Sequence, residues 1–154
     1  MQDFSIVVKY LEPRRATVKM LRDYRNQQWK AEHGKERIRQ IQSRMESVTA
    51  TINQIPVSGG GGNHTEESLV AGIDRKTAAE QGFREAVEYM QLMGDSLSQL
   101  TGHERRLLEL RYIDYLEGNG INRIMDEFHV SQREAYRRCD TALEKLTTLL
   151  FWKP

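Results

Sequence analysis

The chain has 154 residues and a net charge of +1, with 38% hydrophobic and 29% charged residues. That is enough for one or two small domains with a modest core, and the balance suits a helix-rich chain with only three prolines. No apolar run reaches the length of a membrane span and no signal-peptide pattern opens the chain. The lone Cys139 excludes an intrachain disulfide, so a reducing cytoplasm is expected.

Phe4, Ile6, Val7, Val8, Tyr10 and Leu11 read as a short helix or strand ahead of Pro13. Arg14, Arg15, Lys19, Arg22 and Arg25 then form a basic helical face, with Val18, Leu21 and Tyr24 as its apolar side. Such a face fits either a solvated surface or an electrostatic contact with nucleic acid. Residues 1–55 carry a net +5, residues 56–100 a net −4, and residues 101–154 balance.

Ile38, Ile41, Met45, Val48, Ile52 and Ile55 alternate three and four residues apart, the narrow stripe of a coiled-coil seam. The run Ser58–Asn63 is glycine-rich. It lacks the Gly-Lys-Ser/Thr of a phosphate loop and no strand precedes it, so it reads as a flexible connector. Thr65, followed by Glu66 and Glu67, is expected to start the next helix. Phe83, Ala86, Met90, Met93, Leu97 and Leu100 repeat the seam spacing. The two seams can fold back as an antiparallel hairpin or pair with a second copy of the chain.

Beyond Leu100, Thr101 and Glu104 have capping-box spacing ahead of a helix over Arg105–Tyr112. Ile121, Ile124, Met125 and Phe128 give the apolar face of a short helix after Gly118-Asn119-Gly120, and Phe128-His129-Val130 supplies a brief turn. His129 stands where glycine is often found. Ser131 and Glu134 then read as a second capping box. In the helix they open, Ala135, Cys139, Ala142, Leu143, Leu146 and Leu150 form one apolar stripe. The opposite face carries Gln132, Arg133, Tyr136, Arg137 and Asp140. Arginine and glutamine on the first turns of an exposed helix are the side chains that reach phosphates and base edges in a major groove. The pattern predicts a helix-turn-helix whose second helix binds DNA through Ser131, Gln132, Arg133, Glu134, Tyr136, Arg137 and Arg138. Glu134 has two readings, accepting from a cytosine amino group or closing the capping box.

The residues Leu100-Thr101, Glu104-Arg105, Leu107-Leu108, Arg111-Tyr112, Ile124, Val130-Ser131, Arg133, Ala142-Leu143 and Lys145-Leu146 resemble region four of bacterial sigma factors. Over residues 36–150 the chain is similar to the ArpU/RinA-type phage regulators. That likeness rests on Ile55-Pro56-Val57-Ser58 with the glycines to Asn63, on Thr65-Glu66, Ile73-Asp74-Arg75-Lys76, Ala86 and Tyr89-Met90, and on the terminal domain. The resemblance implies an activator of phage or prophage late genes, for packaging and lysis, in the cytoplasm of a bacterial host. Its implied partners are promoter DNA and host RNA polymerase. Nothing matches the promoter-melting or core-binding regions of a sigma factor, so the whole sigma function is not expected.

The four histidines (33, 64, 103 and 129) and Cys139 show no metal-ligand spacing, and the carboxylates sit at salt-bridge spacing on helix faces. No serine lies in a Gly-x-Ser-x-Gly context. The expectation is therefore a non-enzymatic protein without metal or cofactor. It is all-α, with coiled-coil-like N-terminal helices ahead of a helix-turn-helix. The expected parts are a basic segment (1–57), a connector (58–64), a long helix (65–100) and the DNA-binding domain (101–154), in a homo-oligomer. Two other readings accommodate the same features. One is a small terminase-like subunit that marks DNA for packaging. The other is a region-four decoy that binds polymerase or an anti-sigma factor.

Overall fold

A computed structural model describes residues 12–54 and 62–152. The segment Phe4–Leu11, Ile55 and connector residues 58–61 lie outside these residues. The described chain is all-α, as expected, with no strand. In order come α1 (Pro13–Arg22), α2 (Tyr24–Gln54), α3 (Gly62–Ser98) and α4 (Gly102–Leu108). A π-helical turn (Glu109–Ile113) and a 3-10 turn (Tyr115–Glu117) follow, then α5 (Gly120–Phe128) and α6 (Gln132–Phe151). Helix α3 begins at Gly62 rather than Thr65, so the last three residues expected in the connector are helical.

The chain divides into two compact units, Gln27–Tyr89 and a second made of Met1–Asn26 with Met90–Pro154. This division cuts across the segments expected from sequence. The basic N-terminal helix joins the helix-turn-helix domain instead of continuing the coiled-coil part.

In the Gln27–Tyr89 unit the first seam meets the Phe83 end of α3 within one chain, while Met90, Met93, Leu97 and Leu100 of the second seam belong to the other unit. The Phe83 ring lies against Gly34, where a Cβ would overlap it, and Met45 lies against Gly72, where a Cβ would stand 3.0 Å from Cγ. The pairings 34 with 83 and 45 with 72 run in opposite directions, which makes an antiparallel hairpin. Glycine at these two points lets a bulky partner reach the facing backbone. The stripe on α3 reaches back beyond Phe83 through the half-buried Leu69 and buried Gly72. The seam is only partly covered: Ile38, Ile41 and Met45 are half-buried, while Val70 and Ile73 are 57% and 53% exposed.

The other unit holds the fully buried side chains Leu21, Met93, Leu108, Leu110, Ile124, Leu143 and Leu146. Pro13 at the start of α1 presets its φ for a helix and gives up no needed N–H. Helix α4 opens on the expected capping box: Glu104 N donates to Thr101 Oγ1 at 3.2 Å, and Thr101 N to Glu104 Oε1 at 3.3 Å. The helix expected over Arg105–Tyr112 widens after Leu108, where Asp114 N donates to Glu109 O at 2.9 Å, five residues back. This turn packs against both α1 and α5, so Leu110, Tyr112 and Ile113 are all buried although no single helical stripe contains them. Gly120 closes on the turn so tightly that a Cβ would meet the Leu110 carbonyl and lie 2.8 Å from Arg111 Cα.

Across the core, Leu107, Leu110, Ile121, Ile124, Ala135 and Cys139 form one buried cluster, flanked by Met125, Phe128 and Val130. Ile124→Ala or Leu143→Ala is expected to cost about 2–5 kcal/mol, measured by denaturant unfolding, because each empties a fully buried site.

Glu104 also accepts from Lys145 Nζ at 3.0 Å, tying α4 to α6. Partial burial alone would raise its pKa, but the hydrogen bonds from Lys145 and Thr101 outweigh it and hold the carboxyl below its ordinary 4.5. Its stabilising contribution is therefore full above that pH and is lost as pH falls through the lower folded-state value. In melts down an acid series, parent and Glu104→Gln should differ at neutral pH and converge as the pH falls below the ordinary carboxylate range.

Candidate nucleic-acid interface

Helices α5 and α6 pack together and are joined by His129-Val130-Ser131. Asn119 caps α5, its Oδ1 accepting from Ile121 N at 3.2 Å and Asn122 N at 3.4 Å. At the other end His129 takes the left-handed conformation, φ 53° and ψ 48°, and Val130 N donates to Met125 O at 3.3 Å. This closes the helix as a Schellman turn with histidine in glycine's place. The His103 ring meets the Phe128 ring edge-on, 5.7 Å between centroids, beside the same turn.

Ser131 starts α6, its Oγ accepting from Glu134 N at 3.2 Å. The expected capping box is only half formed, because the Glu134 carboxylate does not return to the Ser131 backbone. Arg137 reaches it through Nη2 at 2.6 Å and Nε at 2.8 Å, and Arg138 through Nε at 2.9 Å. Three charge-assisted bonds outcompete one neutral backbone N–H. Hydrogen bonds from Arg137 and then Arg138 push the Glu134 pKa down to about 2, so it remains ionised through the neutral range.

The inward and outward faces of α6 fall as expected. Ala135, Cys139, Ala142, Leu143 and Leu146 are buried, and Thr147 joins them. Burial raises the Cys139 thiol pKa, against a smaller opposing hydrogen bond from Arg111. Outward stand Ser131, Gln132, Arg133, Tyr136 and Arg137, with Arg138 and Glu134 partly covered. Gln132 and Arg133 make no side-chain hydrogen bond or ion pair with the described residues, which leaves their full donor capacity for a ligand. Tyr136, 41% exposed, lies over the Arg111 guanidinium at 5.0 Å.

Sequence reasoning gave Arg111 no role and set Arg14 on a basic face of its own, with nothing to connect either to α6. Asp140, one turn beyond Tyr136, pairs with Arg14 Nη2 at 2.7 Å and lies 3.6 Å from Arg111 Nη1. Arg111 sits inside an apolar-looking helix, and Arg14 is 126 residues away in the chain, so no local spacing connects either to Asp140. Elsewhere cations are committed to structure: Arg106 bridges α4 to α5 with bonds to Glu127 at 2.9 and 3.1 Å and to Glu109 at 3.0 Å. Among the described residues no three His, Cys, Asp or Glu converge as metal ligands, and no helix is long and apolar enough to cross a membrane.

No family model matches this chain, nor does any curated protein or solved structure.

A left-handed conformation penalises any side chain with a Cβ. His129→Gly should therefore raise stability by about 1 kcal/mol, seen as a higher midpoint in thermal melts. A loss of stability would mean that the ring contributes more packing than its backbone costs.

Proposed function

We propose that the chain is a sequence-specific DNA-binding transcriptional regulator, acting by binding rather than by catalysis and without a metal or cofactor. The observation that carries this reading is the first half of α6. It presents Gln132, Arg133, Tyr136 and Arg137 outward behind a tight turn, while its other face is locked into the core. In this mechanism α5 braces across the backbone and α6 enters the major groove. Gln132 and Arg133 meet base edges, an amide matching adenine and a guanidinium guanine. Arg137 and Arg138 are held back by Glu134, and the exposed pairs they form are weak enough to yield to phosphate or base. The likeness to ArpU/RinA-type regulators makes the proposal an activator of phage or prophage late genes, working in the bacterial cytoplasm beside host RNA polymerase. The partly exposed seam of the hairpin supports assembly into a homo-oligomer that reads repeated half-sites.

One observation favours a second reading. Residues 101–154 carry no net charge, and Glu134 occupies two of the arginines on α6, which suits a region-four decoy that binds protein instead of DNA. Mapping protected genomic DNA beside the gene separates the two. If the DNA reading holds, Arg133→Ala and Arg137→Ala should each cost about 1–3 kcal/mol at the protected site and relax its sequence preference. Arg138→Ala should weaken all sequences alike. Identical footprints from the parent and all three variants would remove α6 from the interface. A protein that footprints specifically but leaves a promoter reporter unchanged would point to DNA packaging.

A further inference from the structure

We propose that α1 is a working part of the DNA interface: docked on α6, it neutralises Asp140 through Arg14 and offers Arg15 and Lys19 to the phosphates beside the groove. This rests on the reading of α6 as the DNA-entering helix and extends it to a segment more than 100 residues away in the chain.

Three observations lead there. The first is a fixed seat. Thr17 is fully buried, donating to Pro13 O at 2.9 Å and accepting from Thr147 Oγ1 at 2.9 Å, with Leu21 fully buried one turn on. Thr147 Oγ1 also stands 2.7 Å from Leu143 O on its own helix, so neither hydroxyl depends on the other for a partner, and the close approach of the two buried side chains marks where α1 lies along α6.

The second is what that register accomplishes. Asp140 shares a face of α6 with Arg133, Tyr136 and Arg137, and an uncompensated carboxylate there would repel a phosphate backbone. Arg14, itself exposed, stands 2.7 Å from it, and the buried Nη1 of Arg111 lies 3.6 Å away. The pair is exposed and adds little to stability. Its consequence is the sign of the potential along the outer face of α6.

The third is the composition of α1. Pro13–Arg22 contains Arg14, Arg15, Lys19 and Arg22 and no carboxylate. At helical spacing Arg14 shares the stripe of buried Thr17 and Leu21 (i, i+3, i+7) and so reaches Asp140, while Arg15, Lys19 and Arg22 lie on the solvent side of the same helix. Arg15 holds the exposed Glu12 at 2.6 Å, an i,i+3 pair that a phosphate readily displaces, and Arg22 lies 5.7 Å from the Tyr115 ring. Lys19 has no side-chain partner among the described residues. These cations answer the charge balance of residues 101–154, which by themselves offer a duplex few phosphate contacts.

The test is equilibrium binding of the full chain to a fluorescent duplex of mixed sequence over a salt series. Each phosphate contact contributes about 0.9 to the slope of log K against log salt. The double variant Arg15→Ala/Lys19→Ala should therefore flatten the slope by about two and weaken binding roughly tenfold at low salt. Arg14→Ala should weaken binding, and adding Asp140→Asn to it should restore much of the loss, a recovery that a merely structural role would not produce. Circular dichroism melts should match the parent for every variant, since all these side chains are exposed or half-exposed. An unchanged slope and affinity in Arg15→Ala/Lys19→Ala, with Arg133→Ala still weakened, would overturn the role of α1 and leave α6 as the reader. Equal weakness of Arg14→Ala with and without Asp140→Asn would overturn the neutralisation of Asp140. A parent chain that binds no duplex even at low salt would overturn the DNA reading itself, and this inference with it.

Discussion

Everything on the outer face of α6 depends on the burial of its inner one. Ala135 and Cys139 are closed off from water against Leu107, Leu110, Ile121 and Ile124, and Leu143 and Leu146 are buried further along the same stripe. A helix advances 100° per residue, so a slip of one position would drive Tyr136 or Asp140 inward and bring Ala135 or Cys139 out. Burying an unpaired carboxylate costs several kcal/mol, far more than any surface pairing on this helix returns. The apolar core therefore sets the orientation of Gln132, Arg133 and Arg137, and the electrostatics decorate an arrangement that packing has already chosen.

Within that arrangement the cations fall into two groups. Arg106 is clamped between α4 and α5 by Glu127 and Glu109, and Lys145 is drawn to the cap of α4. These hold the helices in place. Arg133 has no acid partner among the described residues, while Arg137 and Arg138 share the single carboxylate of Glu134 on their own helix. An intrahelical pair at the surface orients a side chain without committing it, because solvent screens the attraction and leaves it weak. The face is thus preset yet exchangeable, which a reader of DNA or of an acidic protein surface equally needs.

The hairpin of the Gln27–Tyr89 unit works differently. Small residues at Gly34 and Gly72 admit Phe83 and Met45 against the backbone, so the two helices interlock at defined points. Two helices enclose less apolar surface than four, and Val70 and Ile73 remain more than half exposed. Surface of this kind is characteristic of helices that gain further partners in an assembly.

Much of this could be read directly from the residue order. The helix boundaries at Thr101, Asn119 and Ser131, the buried stripe of α6 and the outward set around Arg133 all follow from local rules, since caps and amphipathic period act within one or two turns. The seams at Ile38–Ile55 and Phe83–Leu100 are equally plain, but not whether they pair within one chain, because a heptad stripe matches any complementary stripe. The Gly72 end of the α3 stripe went unseen because glycine carries no hydrophobic signal. The widened turn at Glu109–Ile113 arises from neighbours on two sides, which no periodicity encodes. Glu134 left its predicted cap because two arginines lie nearer in space than one backbone N–H can compete with. Above all, the docking of α1 on α6 through Thr17 and Thr147 depends on a buried polar pair separated by 130 residues. A threonine at either position reads as unremarkable helix surface. Only three-dimensional packing turns the two into a contact, since burial is a property of the surroundings and not of the residue.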